Sequence, residues 1–164
     1  MSTVFLICGN TAAGKSTYSA ELAKKHKAII FSTDPWMQTL YGEDYNPEQH
    51  SFEWLIKRAE RCKTQMRQIA QSLILQGINI IFDFGFRDAE SRKYYFEWAL
   101  SQGAEVSLHF LDVPAQERRA RVHKRNKEKG ATFAFEVTDE MFDYVETMFV
   151  PPSDEELVNG LRIV

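Results

Sequence analysis

The chain has 164 residues, 44% of them hydrophobic and 26% charged, which fits one folded domain and excludes a disordered or fibrous protein. Twenty basic residues against 23 acidic ones give a net charge of −3, so bulk charge points to neither nucleic acid nor a membrane. No apolar run is long enough to cross a bilayer, the apolar run Val4 to Cys8 carries no basic n-region or cleavage site and so does not read as a signal segment, and Cys8 and Cys62 lie in apolar surroundings without metal-ligand spacing. Both thiols therefore read as reduced core residues of a cytoplasmic protein.

In chain order, short apolar runs alternate with longer amphipathic ones, which predicts an α/β fold on a mainly parallel, five-stranded sheet. Residues 3–8, 28–32, 78–82 and 106–111 read as buried strands, and 161–164 as a fifth. Helices are expected at 14–25, 47–76, 88–101, 114–127 and 138–149. The longest follows from Phe52, Leu55, Ala59, Cys62, Met66, Ile69 and Leu73, which recur at helical spacing, and Gly77 ends it. The stretch from Trp36 to Pro47 reads as a loop. Nothing marks a linker or a repeat, so 1–164 reads as a single domain with a lid region at about 114–135.

Charge is sorted along the chain. Seven of the 20 basic residues lie between Arg118 and Lys129, whereas 135–156 holds eight acidic residues and no Lys or Arg. Both runs fit a pair of solvated surfaces touching each other, and the first also fits a phosphate-binding face.

Gly9, Asn10, Thr11, Ala12, Ala13, Gly14, Lys15, Ser16 and Thr17 match G-x-x-x-x-G-K-[ST] between a strand and a helix, the context that a phosphate-binding loop requires. The glycines let backbone N–H groups turn inward at the positive end of a helix, where they meet phosphate oxygens. Lys15 supplies a cation for the β- and γ-phosphates, and the Ser16 hydroxyl is a hard ligand suited to Mg²⁺. Thr17 falls near the α-phosphate. No guanine-recognition pattern follows the fourth strand, so ATP is preferred to GTP.

Asp34 follows the second strand, at the sheet edge where ligands of open α/β sheets bind. It reads as the base for an attacking hydroxyl, as a holder of magnesium-bound water, or as a cap before Pro35. Asp83, after four apolar residues, has the form of a magnesium-site carboxylate. Arg87 suits an anionic acceptor or a solvated helix start. Trp36, Tyr41 and Tyr45 either line an acceptor pocket or cover the sheet edge. Arg118, Arg121 and Arg125 share one helical face and suit triphosphate oxygens, while Arg119 points about a quarter-turn away. Residues 127–130 read as a lid connection, and Phe133, Phe135, Phe142 and Tyr144 as packing.

These motifs, in this order, resemble the small P-loop kinases of the AAA-type group, among them zeta toxins, chloramphenicol phosphotransferase and the kinase domain of polynucleotide kinase. Phe31 to Met37, Leu111 to Pro114 and Phe133 to Asp139 are similar to an uncharacterised bacterial branch described as AAA family ATP-binding proteins. The resemblance spans essentially the whole chain and implies a three-layer P-loop NTPase fold with a short lid. It implies Asp34 as acceptor base and Arg121 and Arg125 as lid arginines at the transferred phosphate. The expected activity is Mg-ATP-dependent phosphate transfer to a hydroxyl of a small molecule. A polynucleotide or nucleotide 5′-kinase stands second, and an ATP-binding switch or slow ATPase with a protein partner third. Neither the acceptor nor the oligomeric state follows from the sequence.

Overall fold

The computed structural model describes residues 1–46, 48–129 and 136–164. Five strands, β1 (Thr3–Cys8), β2 (Ile29–Ser32), β3 (Ile80–Gly85), β4 (Glu105–Leu111) and β5 (Leu161–Ile163), form one sheet in the order β2-β3-β1-β4-β5. Every pairing is parallel. The helices are α1 (Lys15–His26), α2 (Thr33–Tyr41), α3 (Phe52–Leu75), α4 (Ala89–Ser101), α5 (Ala115–Glu128) and α6 (Asp139–Met148). None is long and apolar enough to cross a membrane.

Strand alternation sorts the side chains into two layers of core. Val4, Leu6 and Cys8 of β1 face Cys62, Met66, Ala70 and Ile74 of α3 and Tyr95 and Ala99 of α4. Phe5 and Ile7 face the other way, toward Leu22 of α1. A third, small cluster joins Val122 of α5, Val137 just before α6, Phe142 of α6, and Ala12 in the loop after β1. Both cysteines are buried and free, as expected.

Several details depart from the sequence reading, and α3 begins at Phe52 where a helix from about 47 was expected. β2 is an edge strand, not a buried one, with Ile29 40% and Ile30 37% exposed. β3 begins at Ile80 rather than Ile78, because the Asn79 side chain accepts from Thr3 N at 2.8 Å and donates to the His26 carbonyl at 2.8 Å. It thereby pins the starts of β1 and β3 to the end of α1. Residues 33–41, expected as loop, are helix α2: Ser32 stands at its N-cap position, and Pro35 falls in the first turn, where no backbone donor is needed. Tyr144 is 62% exposed and does not pack, whereas Phe142 does, at 1%. Lys127 and Glu128 complete α5, and Lys129 caps it in the left-handed conformation (φ 46°). The remaining lid residues, with Phe133 and Phe135, lie outside the described residues.

Candidate functional site

The loop after β1 is shaped by two left-handed residues, Ala12 (φ 60°) and Gly14 (φ 92°). Gly14 adopts its angle freely and hands the chain to α1; Ala12 does so at a cost of about 1 kcal/mol. Gly9 N donates to the Gly85 carbonyl at 3.1 Å, which ties the loop to the end of β3. The first turn of α1 carries neither a side-chain cap nor an acidic residue, so its N–H groups and the positive end of the helix stay available to an anion.

Lys15 lies in this cradle, its Nζ donating to the Asn10 carbonyl at 3.1 Å. Loss of water pushes its pKa below the usual lysine value, and the nearby charges of Asp83 and Asp34 pull it partly back. Asp83 is only 7% exposed. Burial raises its pKa; Lys15 opposes that rise, Asp34 adds to it, and the Ser19 and Ser16 hydroxyls oppose it. Three charged groups from β3, α1 and α2 therefore converge at one edge of the sheet. Asp34, exposed in the first turn of α2, makes no capping bond.

α5 lies over the loop. The Arg121 guanidinium donates to the Ala12 and Ala13 carbonyls, both at 3.3 Å, and to Glu117 Oε1 at 2.5 Å. Arg125 keeps a buried Nε without a hydrogen-bond partner among the described residues. Arg118 is different. It is 6% exposed, and its guanidinium is committed to Val113 O at 2.8 Å, to Thr11 O at 3.3 Å and to Glu146. Sequence reasoning placed Arg118 on nucleotide; in the structure it braces the loop from beside it. Glu146 also accepts from the Asn10 side chain, whose Oδ1 in turn accepts from Thr11 N at 2.8 Å. The acidic stretch thus meets the basic helix, as the first of the two charge readings expects, and Arg119 joins Asp139 and Asp143 in the same seam. Beside this seam a crevice of about 320 Å³ opens, with Asn10, Arg118 and Glu146 as polar floor and Phe110, Val113 and Phe149 among its apolar walls.

Sequence reasoning missed Glu146 and Ser19. Glu146 was visible only as one member of an acidic run, and Ser19 only as a small residue inside a helix. Trp36 and Tyr41 pack partly against the main core. Arg87 is exposed, and its carbonyl accepts from Val150 N at 2.8 Å. Among the described residues no cluster of three or more His, Cys, Asp or Glu can hold a metal unaided.

A family model described as an AAA domain matches residues 4–152. The chain belongs to this AAA domain family of P-loop kinase-like proteins. A kinase-like protein of Chloroflexus aurantiacus shares the fold at TM-score 0.75 and 15% identity, over 99% of this chain and 87% of that one. Mycobacterium tuberculosis APS kinase, solved with AMPPNP and APS, gives 0.63 and 17%, over 98% and 88%. A gluconokinase from Sinorhizobium meliloti gives 0.58 and 13%, over 98% and 81%. No curated protein matches the chain. At these identities the neighbours establish the α/β P-loop NTPase-like fold.

Proposed function

We propose that the protein is an ATP-dependent phosphotransferase acting on a hydroxyl of a small molecule. The observation that carries this reading is Asp34: a carboxylate that no described residue engages in a side-chain hydrogen bond or ion pair, close enough for its charge to act on both Lys15 and Asp83. A pure nucleotide switch has no need of an extra base there. A kinase does, because the attacking hydroxyl must lose its proton as the phosphorus–oxygen bond forms.

The triphosphate lies along residues 9–17, against the inward N–H groups and the start of α1. Lys15 leaves the Asn10 carbonyl for the phosphates, and Arg121 and Arg125, whose Nε has no partner among the described residues, meet the transferring group from α5. Arg118 acts at one remove, by holding the loop. Ser16 and Asp83 would hold Mg²⁺, as a hydroxyl and a carboxylate suited to a hard cation. When bound, magnesium neutralises phosphate charge. Asp34 takes the proton of the acceptor hydroxyl, the acceptor oxygen bonds to the γ-phosphorus, and the bond to the β-phosphate oxygen breaks to release ADP. Loop and α5 together exclude water, which would otherwise hydrolyse the donor.

The test is mass spectrometry of a metabolite extract incubated with the protein and γ-labelled ATP. A labelled small-molecule product is the expected result. Label that appears only as inorganic phosphate would sink the kinase reading, and label on polynucleotide ends would move it to the second reading.

A further inference from the structure

α3 outruns the sheet it packs on. Its buried stripe begins at Cys62, and Lys63 lies over the ring of Phe84 near the end of β3, 5.6 Å from the centroid. The chain leaves α3 at Leu75 and enters β3 at Ile80, so the helix runs antiparallel to the strand. Its first ten residues, 52–61, therefore stand beyond the carboxyl edge, on the side of the phosphate loop, as a wall roughly 15 Å tall. α2, which carries Asp34 in its first turn, packs against this wall.

An ordered aromatic group lines the junction. Tyr41 of α2 faces Trp54 edge-on at 6.1 Å. His50 stacks on the Trp54 ring at 4.3 Å, and the Arg58 guanidinium carbon lies 3.4 Å from the ring centroid. Both are too close to share one face of the indole, so Trp54 is held between them. Arg58 also lies 5.6 Å from the Tyr41 ring, and its NH1 reaches the Trp54 carbonyl at 3.4 Å.

Arg58 lacks a counter-charge. Arg92, Arg118, Arg119, Arg121 and Arg162 each pair with a carboxylate, whereas Arg58, like Arg61, Arg67, Arg87 and Arg125, pairs with no carboxylate among the described residues. Among these five, Arg58 is the one that lies against the indole beside α2. A half-buried guanidinium packed against the Trp54 ring, with Tyr41 nearby, has lost side-chain freedom while most of its donors stay unspent. That is the condition of a preorganised anion receptor.

We propose that Arg58 is the anion-binding group of the acceptor site, and that the acceptor is a small hydroxylated anion bearing a phosphate or carboxylate. Tyr41 lies seven residues beyond Asp34 on α2, roughly 10 Å along the helix. The anionic group and the reacting hydroxyl therefore belong at opposite ends of a molecule about as long as a sugar phosphate. This inference rests on the kinase reading and narrows it.

The test separates the two. A metabolite extract is divided by anion exchange into a retained fraction and a flow-through of neutral and cationic compounds, and each is incubated with the full chain, magnesium and γ-labelled ATP. Labelled small-molecule product from the retained fraction alone is expected. Phosphatase treatment of that fraction beforehand removes the acceptor if its anion is phosphate and leaves it if carboxylate. Product from the flow-through, or label found only on polynucleotides, overturns the inference and leaves a kinase standing; no labelled product from any fraction overturns both. With the acceptor in hand, Arg58→Ala raises its KM about tenfold or more while the KM for ATP stays that of the parent protein. Arg61→Ala, an equal loss of charge at an exposed site on the same helix, leaves both constants in place. An unchanged acceptor KM in Arg58→Ala, or an equal rise in Arg61→Ala, refutes the assignment.

Discussion

Glu146, on the last helix, takes the Arg118 guanidinium in a two-pronged grip, at 2.6 Å from NH1 and 2.8 Å from NH2. Arg118 is nearly sealed from water and Glu146 is about a quarter exposed, so the pair sits at the boundary of the protein. Losing one partner strands the other charge, which costs far more than losing both.

Glu146→Ala is expected to destabilise the protein by about 3 kcal/mol, whereas the double change Arg118→Leu with Glu146→Leu falls well short of that. Urea unfolding of the three proteins measures the difference. Because Glu146 also orients Asn10 in the phosphate loop, Glu146→Gln, which keeps an acceptor for Asn10, should raise the KM for ATP less than Glu146→Ala. Equal effects in both variants would remove the link between α6 and the loop.

Asp83 sets function against stability. Burial raises its pKa, so the folded protein binds the proton more tightly than the unfolded chain does. Asp83 therefore costs stability at neutral pH, and the cost fades as pH falls through its raised value toward the ordinary carboxylate range. Asp83→Asn should raise the melting temperature of the ligand-free protein and narrow its pH dependence on the acid side. The same variant should lose magnesium-dependent turnover. A lower melting temperature at neutral pH would contradict the electrostatic account.

His109 titrates in the opposite sense. It is 4% exposed on β4, and burial, with smaller contributions from His26 and Lys25, lowers its pKa to about 4. Tyr18 OH bonds to Nδ1 at 2.7 Å, and Nε2 bonds to Ser107 Oγ at 3.0 Å, which donates in turn to the Asn159 carbonyl at 3.1 Å. A neutral ring protonated on Nε2 satisfies all three bonds. The unfolded chain takes up a proton near pH 6.5 and the folded one only near 4, so stability is fully present above 6.5 and is lost progressively between those values. The loss reaches about 3 kcal/mol. Unfolding free energies at pH 7 and pH 4.5 should differ less in His109→Gln than in the parent protein.

How much of this was legible beforehand depended on range. The phosphate loop is a local pattern, and the apolar run Ile80-Ile81-Phe82 before Asp83 announces a buried strand, so both were readable from neighbours in sequence. α2 was not, because Pro35 reads as a breaker unless the start of the helix is already placed at Thr33. Glu146 lies 136 residues from Asn10 and 28 from Arg118, and no spacing rule connects them. The Arg58 stack was half visible: Trp54 and Arg58 are one helical turn apart, but Tyr41 reaches them only because α2 packs on α3. Chain-local chemistry was thus readable, whereas the partners that decide whether a charge is spent or available were set by tertiary packing.

Asp34 and Lys15 supply the sharpest kinetic contrast. Asp34 stands near Lys15 and Asp83 without bonding the loop, so Asp34→Asn should keep nucleotide affinity and lower kcat by about 10²- to 10⁴-fold, the span of a lost general base. Lys15 lies within the cradle itself, so Lys15→Ala should weaken ATP binding and turnover together. Titration calorimetry with a non-hydrolysable ATP analogue reads affinity apart from chemistry. If Asn at position 34 weakens the analogue as strongly as Ala at position 15, Asp34 acts on the nucleotide. If Asp34→Asn leaves turnover intact, another group takes the acceptor proton, and the role assigned to the first turn of α2 falls.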